Sequence, residues 1–142
     1  MATTITRYTS YNQYIHSGEI NLNDTGNIYL ALVTSAYTFS AAHSIWASAS
    51  GSEVANGAGY TTNGAALGTL SVNATRFTAA NVTWTALTKT FRGGVLYHRA
   101  TYLTIVNPLI AYILFDSTPA DIVMAGGDFA VQWNASGIIT FA

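Results

Sequence analysis

The chain has 142 residues, a formal net charge of −1 at pH 7 and no cysteine, which excludes a disulfide framework and thiolate chemistry. Its five basic residues are scattered along the sequence, so the charge pattern predicts no nucleic-acid binding. Only 8% of the residues are charged and 50% are apolar, against about 25% charged in an average soluble domain. Copies of this chain therefore repel one another only weakly, as suits a component of an ordered assembly.

Residues 1–18 predict an N-terminal arm followed by a short helix. The Thr-rich stretch 1–9 is expected to be extended, and Ser10 is placed to cap a helix with its hydroxyl. Tyr11 and Tyr14 follow at helical spacing, and Gly18 is placed to end the helix. The first residues lack the apolar core of a secretion signal, which predicts synthesis and assembly in the host cytoplasm.

Residues 27–34 predict a strand that is apolar on both faces, and hence one that is central or covered on both sides. Residues 35–66 differ in composition, because small residues dominate and four glycines are spread among them. Residues 41–46 are expected to form one helical turn within this stretch. A loop of this length in a small domain is either functional or disordered, and its aromatic residues favour an ordered, functional loop.

The remainder of the chain alternates between short strands and turns. The pair Gly93 and Gly94 predicts a bulge or a close backbone approach, and residues 134–137 (NASG) predict a hairpin loop between the last two strands. Together the pattern predicts one all-β domain over residues 1–142, a β-sandwich or jelly-roll-like fold of seven or eight short strands with one or two short helical turns. The predicted strands after the loop are 67–72, 76–78, 82–85, 91–98, 109–115, 129–133 and 138–141.

Signals for an enzyme are weak. His16, His43 and His98 lie far apart in the sequence, which favours hydrogen-bonding or exposed histidines over a metal site. Three aspartates flank a proline loop, where turn formation competes with acid–base chemistry; these are Asp116, Asp121 and Asp128. We expect no catalytic residue, cofactor or metal site. The longest apolar run, residues 109–115, is far shorter than the roughly 20 residues of a membrane-spanning helix, so no membrane partner is expected.

Aromatic residues outside the predicted strands are the candidate interface residues, because aromatic side chains with a polar tip are favoured at protein interfaces. Two other interpretations stay open: a platform for a sugar, and docking of the N-terminal helix on its own domain. The candidates are Tyr8, Tyr11, Tyr14, Phe39, Trp46 and Tyr60.

Several segments, in this order and spacing, resemble a family of small tailed-bacteriophage virion proteins, which include head decoration, cement and minor structural proteins. Family members share a strand ending ALVTSAYTP, a loop of the type E-V-x-G-x-G-Y-x-x-G-G, a strand P-L-I-A-Y-I-D-F and a final W-x-A-x-G-I-L. This chain departs from the pattern at Phe39, at Ala65 and Ala66, and at Leu114. The segments that carry the resemblance are 11–22 (YNQYIHSGEINL), 28–37 (IYLALVTSAY), 53–64 (EVANGAGYTTNG), 82–84 (VTW), 107–115 (NPLIAYILF) and 129–139 (FAVQWNASGII).

The resemblance implies a non-enzymatic component of the virion. The first expectation is a capsid decoration or cement protein that binds the outer face of the major capsid lattice as a dimer or trimer. The N-terminal arm and loop 35–66 would then grip the lattice, through many weak repeated contacts. A tail module (tube, baseplate or fibre) is the second expectation, and a carbohydrate- or receptor-binding β-sandwich is the third.

Overall fold

A computed structural model describes residues 3–140, with Thr140 described for its backbone alone. Within this range the chain forms an all-β, sandwich-like fold with one α-helix, α1 (Thr9–Ser17), and two 3₁₀ turns, Trp46–Ser48 and Ser50–Ser52. The strands are β1 (Thr4–Arg7), β2 (Ile28–Val33), β3 (Ala65–Ala66), β4 (Ser71–Val72), β5 (Arg76–Thr78), β6 (Val82–Phe91), β7 (Gly93–His98), β8 (Thr101–Tyr102), β9 (Ile105–Val106), β10 (Leu109–Leu114), β11 (Ile122–Val131) and β12 (Ile139–Thr140).

The main sheet contains five antiparallel strands in the order β1, β10, β7, β2, β3. Its three central strands are apolar on both faces, and almost every residue in them is buried. This confirms the prediction that the strand at residues 27–34 is covered on both sides. Such strands require a covering layer on each face of the sheet, and the chain supplies two different ones.

The glycine pair in β7 allows the main sheet to pack closely. A Cβ on Gly93 would lie 2.6 Å from the carbonyl oxygen of Ile113, and a Cβ on Gly94 would lie 3.1 Å from the ring of Phe115. Side chains at these positions would therefore push apart β7 and β10 or displace the Phe115 ring. The predicted close backbone approach at this pair is confirmed.

The first covering layer consists of the long ribbon β6–β11 and the small sheet β12–β5–β4. The two strands of this ribbon are longer than the strands predicted at 82–85 and 129–133. The prediction is too short because bulges interrupt the alternation of apolar and polar residues along the ribbon. Ala86 and Gly126 both have positive φ at these bulges, and the Asp128 carboxylate accepts the Ala86 N–H at 3.1 Å. The core between the two layers includes Leu30, Leu32, Phe77, Trp84, Leu87, Phe91, Leu96, Ile113 and Phe115.

The second covering layer is the segment between β2 and β3, the stretch expected to be a functional loop. It packs on the opposite face of the main sheet and buries Trp46, whose ring stacks on Tyr97 with 4.8 Å between ring centroids. Beneath it the hydroxyls of Tyr8 and Tyr37 are hydrogen-bonded at 2.8 Å, and Tyr37 in turn bonds His43 Nδ1 at 2.9 Å. The buried aromatic side chains of the segment therefore belong to the packed interior, while most of its other residues are exposed or half-buried.

One carboxylate holds the end of this segment against β2. Glu53 Oε1 accepts hydrogen bonds from the Tyr60 hydroxyl at 2.7 Å and from the Asn63 N–H at 2.5 Å. The same Tyr60 oxygen accepts the N–H of Leu32 at 3.1 Å. Gly64 has φ +88 and approaches the Leu30 carbonyl so closely that no Cβ fits there. Glu53, Tyr60 and Gly64, which belong to the sequence motif at residues 53–64, therefore have structural roles.

Several local predictions need correction. Gly18 ends α1 in the left-handed conformation as predicted, but Tyr8 is the N-cap residue and the buried Ser10 hydroxyl has no partner. The helical turn expected at 41–46 instead forms as the two 3₁₀ turns that begin at Trp46. Of the strand predicted at 67–72, β4 contains only the last two residues.

The predicted C-terminal hairpin is also wrong. The turn at 134–137 forms, with Gly137 at φ +111, but Ile139 pairs with Phe77 of β5 and not with β11. The NASG turn therefore moves the chain from one sheet to another instead of folding it back on the same strand. The end of that predicted strand, Phe141, lies outside the described residues.

Candidate interaction surfaces

The candidate interface residues predicted from the sequence lie mostly inside the domain. Tyr8 lies beneath the segment that covers the main sheet. Trp46 and the half-buried Phe39 belong to that segment and face the sheet, where Phe39 stacks on Tyr112. The other three are in the core between the layers, namely Tyr11, Tyr14 and Tyr60. Five of the six side chains are thus buried, because large aromatic rings supply the apolar area that covers the sheet. Most of their surface is therefore used within the domain, although Tyr11 also lines a surface cavity.

The N-terminal arm is likewise part of the domain. Residues 4–7 form β1, which pairs with β10 at the edge of the main sheet. Tyr8 directly follows this strand and is only 1% exposed. An arm that grips a neighbouring lattice would have to leave the sheet, so the expectation of a free N-terminal arm does not fit this structure.

Burial also determines the chemistry of the tyrosines. It raises the pKa values of Tyr8, Tyr60 and Tyr97 well above the ordinary value of a phenol. These hydroxyls therefore stay neutral and act as hydrogen-bonding groups. Tyr97, for example, donates to the carbonyl oxygen of Asn63 at 2.7 Å.

His98 is a buried histidine whose ring makes polar contacts on both sides. Its Nε2 lies 2.8 Å from Asp24 Oδ2, and this hydrogen bond lowers the pKa of Asp24. On the other side of the ring, Nδ1 lies 3.2 Å from the carbonyl oxygen of Glu19. The pair joins β7 to the segment before β2. His16 and His43 bond to other groups, Asn12 O and the Tyr37 hydroxyl.

The three aspartates that the sequence offered for turn formation or acid–base chemistry each bond to a different group. Asp116 accepts hydrogen bonds from the N–H and hydroxyl of Thr118 within a turn, and Asp121 pairs with Arg92 at 2.8 Å. Asp128 supports the bulge of β6 described above. Across residues 3–140, no group of three or more His, Asp or Glu side chains is placed to hold a metal ion. No helix in that range is both long and apolar enough to cross a membrane.

An apolar hairpin, residues 101–106, is the most exposed apolar feature of the described chain. It consists of β8, β9 and the two residues between them. Leu103 at its tip is 82% exposed, and Tyr102 and Val106 are each 47% exposed. Leu103 also has φ +54, a left-handed conformation that a bulky residue rarely adopts. Both its exposure and its backbone conformation are unfavourable for a leucine that serves only folding.

The base of this hairpin is held rigidly. Ile105 packs against the core between the layers, and the Asn107 N–H donates to the carbonyl oxygen of Ala100 at 2.8 Å. The Asn107 carbonyl oxygen in turn accepts the N–H of Trp46 at 2.8 Å. The hairpin is therefore anchored to the domain at its base.

A groove runs along the inner face of β1, where the first covering layer does not reach the edge of the main sheet. It consists of three adjoining cavities with volumes of about 410, 180 and 480 Å³. The middle cavity shares Ile5 with one neighbour and Arg7 with the other. We call this feature the β1 groove. The cavity of about 480 Å³ is lined mainly by α1 and the residues that follow it. The large apolar residues from one end of the groove to the other are Ile113, Phe115, Phe129, Val131, Trp133, Ile5, Ile138, Ile139, Val72, Tyr11, Ile15, Ile20 and Leu22.

At the β1 groove, one side chain of β1 is exposed, and backbone N–H and C=O groups of β1 have no partner strand among the described residues. Ile5 is 42% exposed. Because the Tyr8 N–H bonds to the Ile110 carbonyl oxygen, the antiparallel alternation directs the N–H and C=O groups of Ile5 and Arg7 away from β10. No strand among residues 3–140 pairs with that side of β1. None of the described residues that line the groove is acidic.

The sequence interpretation missed both surfaces. The hairpin has a signal in retrospect, since the run TYLTIV contains four large apolar residues between two strands and has no charge. The β1 groove has no local signal, because it depends on how far the second layer extends over the first. Comparisons with known protein families, curated proteins and solved structures find no match to this chain. Function therefore has to be argued from these surfaces and from the sequence motifs.

Proposed function

We propose that this chain is a non-enzymatic structural protein of a tailed-bacteriophage virion. In this proposal it decorates the capsid, binding the major capsid protein and copies of itself on the outer face of the lattice. The observation that carries the proposal is the hairpin of residues 101–106, which is anchored at its base and has Leu103 at its exposed tip. The sequence motifs that resemble virion proteins support the same assignment.

The hairpin supports a role in assembly because exposed apolar surface gains free energy when it is buried, about 25 cal/mol per Å². Clustered exposed apolar side chains commonly mark a contact site. Tyr102, Leu103 and Val106 are exposed apolar residues within six consecutive residues without a charge, with Tyr102 and Val106 on opposite faces of the hairpin. The fold that carries them is stiff, since both faces of its main sheet are covered.

The low charge of the chain supports close packing of many copies. Five Lys or Arg and six Asp or Glu leave neighbouring copies with little mutual repulsion. Weak contacts repeated over a closed shell add up through multivalency. A protein that binds only the intact lattice also stabilises that lattice by mass action, which is how a decoration protein would resist internal pressure.

A tail module is the second candidate, favoured by one observation. The outer edge of β1 is unpaired within the described chain, and an open edge can pair with a strand of a neighbour in a tail tube or fibre. The carbohydrate-binding alternative loses its platform, because Trp46 and the candidate tyrosines are buried. The number of copies in each particle separates the first two candidates, since decoration scales with the capsid lattice.

The test is to add purified protein to mature capsids that lack it. We expect saturable binding and a higher melting temperature of the capsid. Leu103→Asp should weaken the binding about tenfold or more if the hairpin contributes to it. Val123→Asp is the matched control, because Val123 is 70% exposed on β11, away from the hairpin. Absence of capsid binding, together with saturable binding to host glycans, would contradict the proposal.

A further inference from the structure

We propose that the hairpin of residues 101–106 enters an apolar cleft of the capsid lattice, tip first, with one wall of the cleft against each face of the hairpin. This inference rests on the proposed function, because it names the kind of surface that the hairpin contacts on the major capsid protein. A hairpin that lies flat on its partner is the alternative. The two arrangements use the side chains of the hairpin differently.

The hairpin carries exposed apolar side chains on both of its faces. Within it Thr101 pairs with Val106, and Tyr102 pairs with Ile105. Residues opposite each other in an antiparallel pair point to the same face, and successive residues point to opposite faces. Tyr102 therefore lies on one face and Val106 on the other, and both are half-exposed. A flat partner would cover one of them and leave the other in water, whereas a cleft covers both.

Leu103 stands at the leading end of the hairpin, which enters a cleft first. Its side chain is almost entirely exposed, and its left-handed backbone conformation is one that glycine or asparagine adopts at lower cost. A tip that serves only the turn would favour those residues. A leucine gains most when its side chain is removed from water on all sides, which the floor of a cleft provides and a flat contact does not.

Charge indicates the chemistry of the cleft. The six residues of the hairpin carry no charge, so the walls of the cleft are apolar and need no counter-charge. Arg99, two residues before the hairpin, is exposed, and its guanidinium carbon lies 5.0 Å from the ring centroid of Tyr29 on β2. This contact holds the positive charge at the base of the hairpin, beside the mouth of the cleft. A cleft with apolar walls and carboxylates at its mouth therefore complements the hairpin.

Charge and size both disfavour a second copy of this chain as the partner. The β1 groove of another copy has apolar walls, but none of its described lining residues is acidic, and Arg7 lines it as a like charge to Arg99. Six residues are also far fewer than the roughly 20–30 residues that each side of a stable pairwise interface contributes. The hairpin therefore suits an anchor that is repeated over a lattice.

The test measures how each face of the hairpin contributes to capsid binding. Tyr102→Asp, Val106→Asp and Leu103→Asp are each added to mature capsids that lack the protein, and each should weaken the binding about tenfold or more. Val123→Asp, at an exposed position of β11, is the matched control and should bind like the natural chain. If only one of Tyr102→Asp and Val106→Asp weakens the binding, the hairpin lies flat and the inference is overturned.

Two milder variants guard against a folding defect. Val106→Thr keeps the shape of the side chain and adds a hydroxyl that is costly to bury, so it should weaken capsid binding while the melting temperature of the free protein stays the same. Arg99→Gln removes the charge at the base and should weaken the binding at low salt but have little effect at high salt, because salt screens exposed charges. An effect of Arg99→Gln that does not fall with salt would contradict the carboxylates at the mouth.

Chemical protection tests the same geometry without loss of binding. Since the chain has no cysteine, Tyr102→Cys and Val106→Cys each introduce a single thiol. Both thiols should react quickly with a water-soluble thiol reagent in the free protein and slowly on the capsid. Val123→Cys should react equally fast in both states. Protection of only one of the two hairpin thiols would overturn the cleft in favour of a flat contact.

The outcomes separate this inference from the proposed function. If the natural chain binds capsids but only one face of the hairpin is needed, the inference is overturned and the proposed function stands. Hairpin variants that bind capsids normally but no longer self-associate, as measured by sedimentation velocity, would overturn it in favour of a second copy as the partner. A natural chain that does not bind capsids would overturn both.

Discussion

Two segments leave the strands of the sandwich, and they differ in how the fold uses their apolar residues. The long segment between β2 and β3 buries Tyr37 and Trp46 against one face of the main sheet, and Tyr60 in the core between the layers. The short hairpin of residues 101–106 leaves Tyr102 and Leu103 in solvent. The comparison teaches that aromatic richness in a loop is a sign of packing, whereas an uncovered apolar tip is a sign of a contact site.

The difference has a simple physical origin. The central strands of the main sheet are apolar on both faces, so the sheet needs two covers, and the ribbon β6–β11 can provide only one. The long segment provides the other, and its aromatic rings are the covering material. Nothing in the described chain covers the tip of the hairpin, so its apolar residues gain burial only from a partner.

The largest expected effect is on the long segment. Trp46→Ala should lower the free energy of unfolding by about 3–5 kcal/mol, the usual cost of removing a buried large aromatic ring, because Trp46 stacks on Tyr97 within the core. Urea unfolding measures this change. Val106→Ala in the hairpin is the control and should change the free energy by no more than about 0.5 kcal/mol. Equal costs for the two variants would remove the distinction between the segments.

The next effect is on the hydrogen bonds that hold the long segment. Tyr60→Phe removes the oxygen that accepts the Leu32 N–H and the hydroxyl that donates to Glu53. A buried N–H left without a partner costs about 1–3 kcal/mol, so we expect a loss in that range in urea unfolding. Tyr102→Phe removes the hydroxyl of a half-exposed tyrosine and should be neutral. A neutral Tyr60→Phe would mean that water replaces the lost oxygen.

The sequence predicts the fold class and the central strands β2, β7 and β10, because these depend on local patterns of apolar residues, but it does not predict β1, β3, β8 or β9. The prediction for residues 27–34 and the glycine pair of β7 are confirmed, since a strand apolar on both faces and a pair of glycines each have one physical explanation. The strand pairing of Ile139 is not local. The NASG turn fits a hairpin, but the partner of the last strand depends on which sheet has a free edge, as β5 does.

The site was harder to predict, because burial of an aromatic residue depends on what covers it. Trp46 and Tyr60 are residue types that are common at interfaces, but both are buried in the core of this domain. Composition cannot separate these two, since interfaces and cores use the same side chains. The exposure of Leu103 was equally hidden, because an apolar residue in a short run is expected to be buried unless the surrounding layers are known.

A smaller effect is expected where His98 joins β7 to the segment before β2. The hydrogen bond from His98 lowers the pKa of Asp24, so the folded protein holds the carboxylate more strongly than the unfolded chain. This stabilisation is present above about pH 4, near the pKa of a free carboxyl group, and is lost as the pH falls through the lowered value. Asp24 is partly exposed, which limits the contribution to about 1 kcal/mol or less.

Asp24→Asn should remove that part of the pH dependence. Unfolding free energies of the natural chain and the variant, measured at pH 7 and pH 3, should differ more at pH 7. The contribution is local and involves neither the long segment nor the hairpin, so self-association at neutral pH should be unchanged. An identical pH dependence in the two proteins would show that Asp24 is not held by His98 in solution.

The smallest effect on folding is expected at the hairpin tip, and it gives the sharpest form of the comparison. Leu103 has φ +54, a conformation that asparagine tolerates better than leucine. Leu103→Asn should therefore leave the free energy of unfolding unchanged within about 0.5 kcal/mol, or raise it slightly, while self-association and capsid binding weaken. Thermal melting and sedimentation measure the two properties on the same sample. A variant that lost stability instead would show that the leucine serves the fold, and the hairpin would then resemble the long segment that covers the sheet.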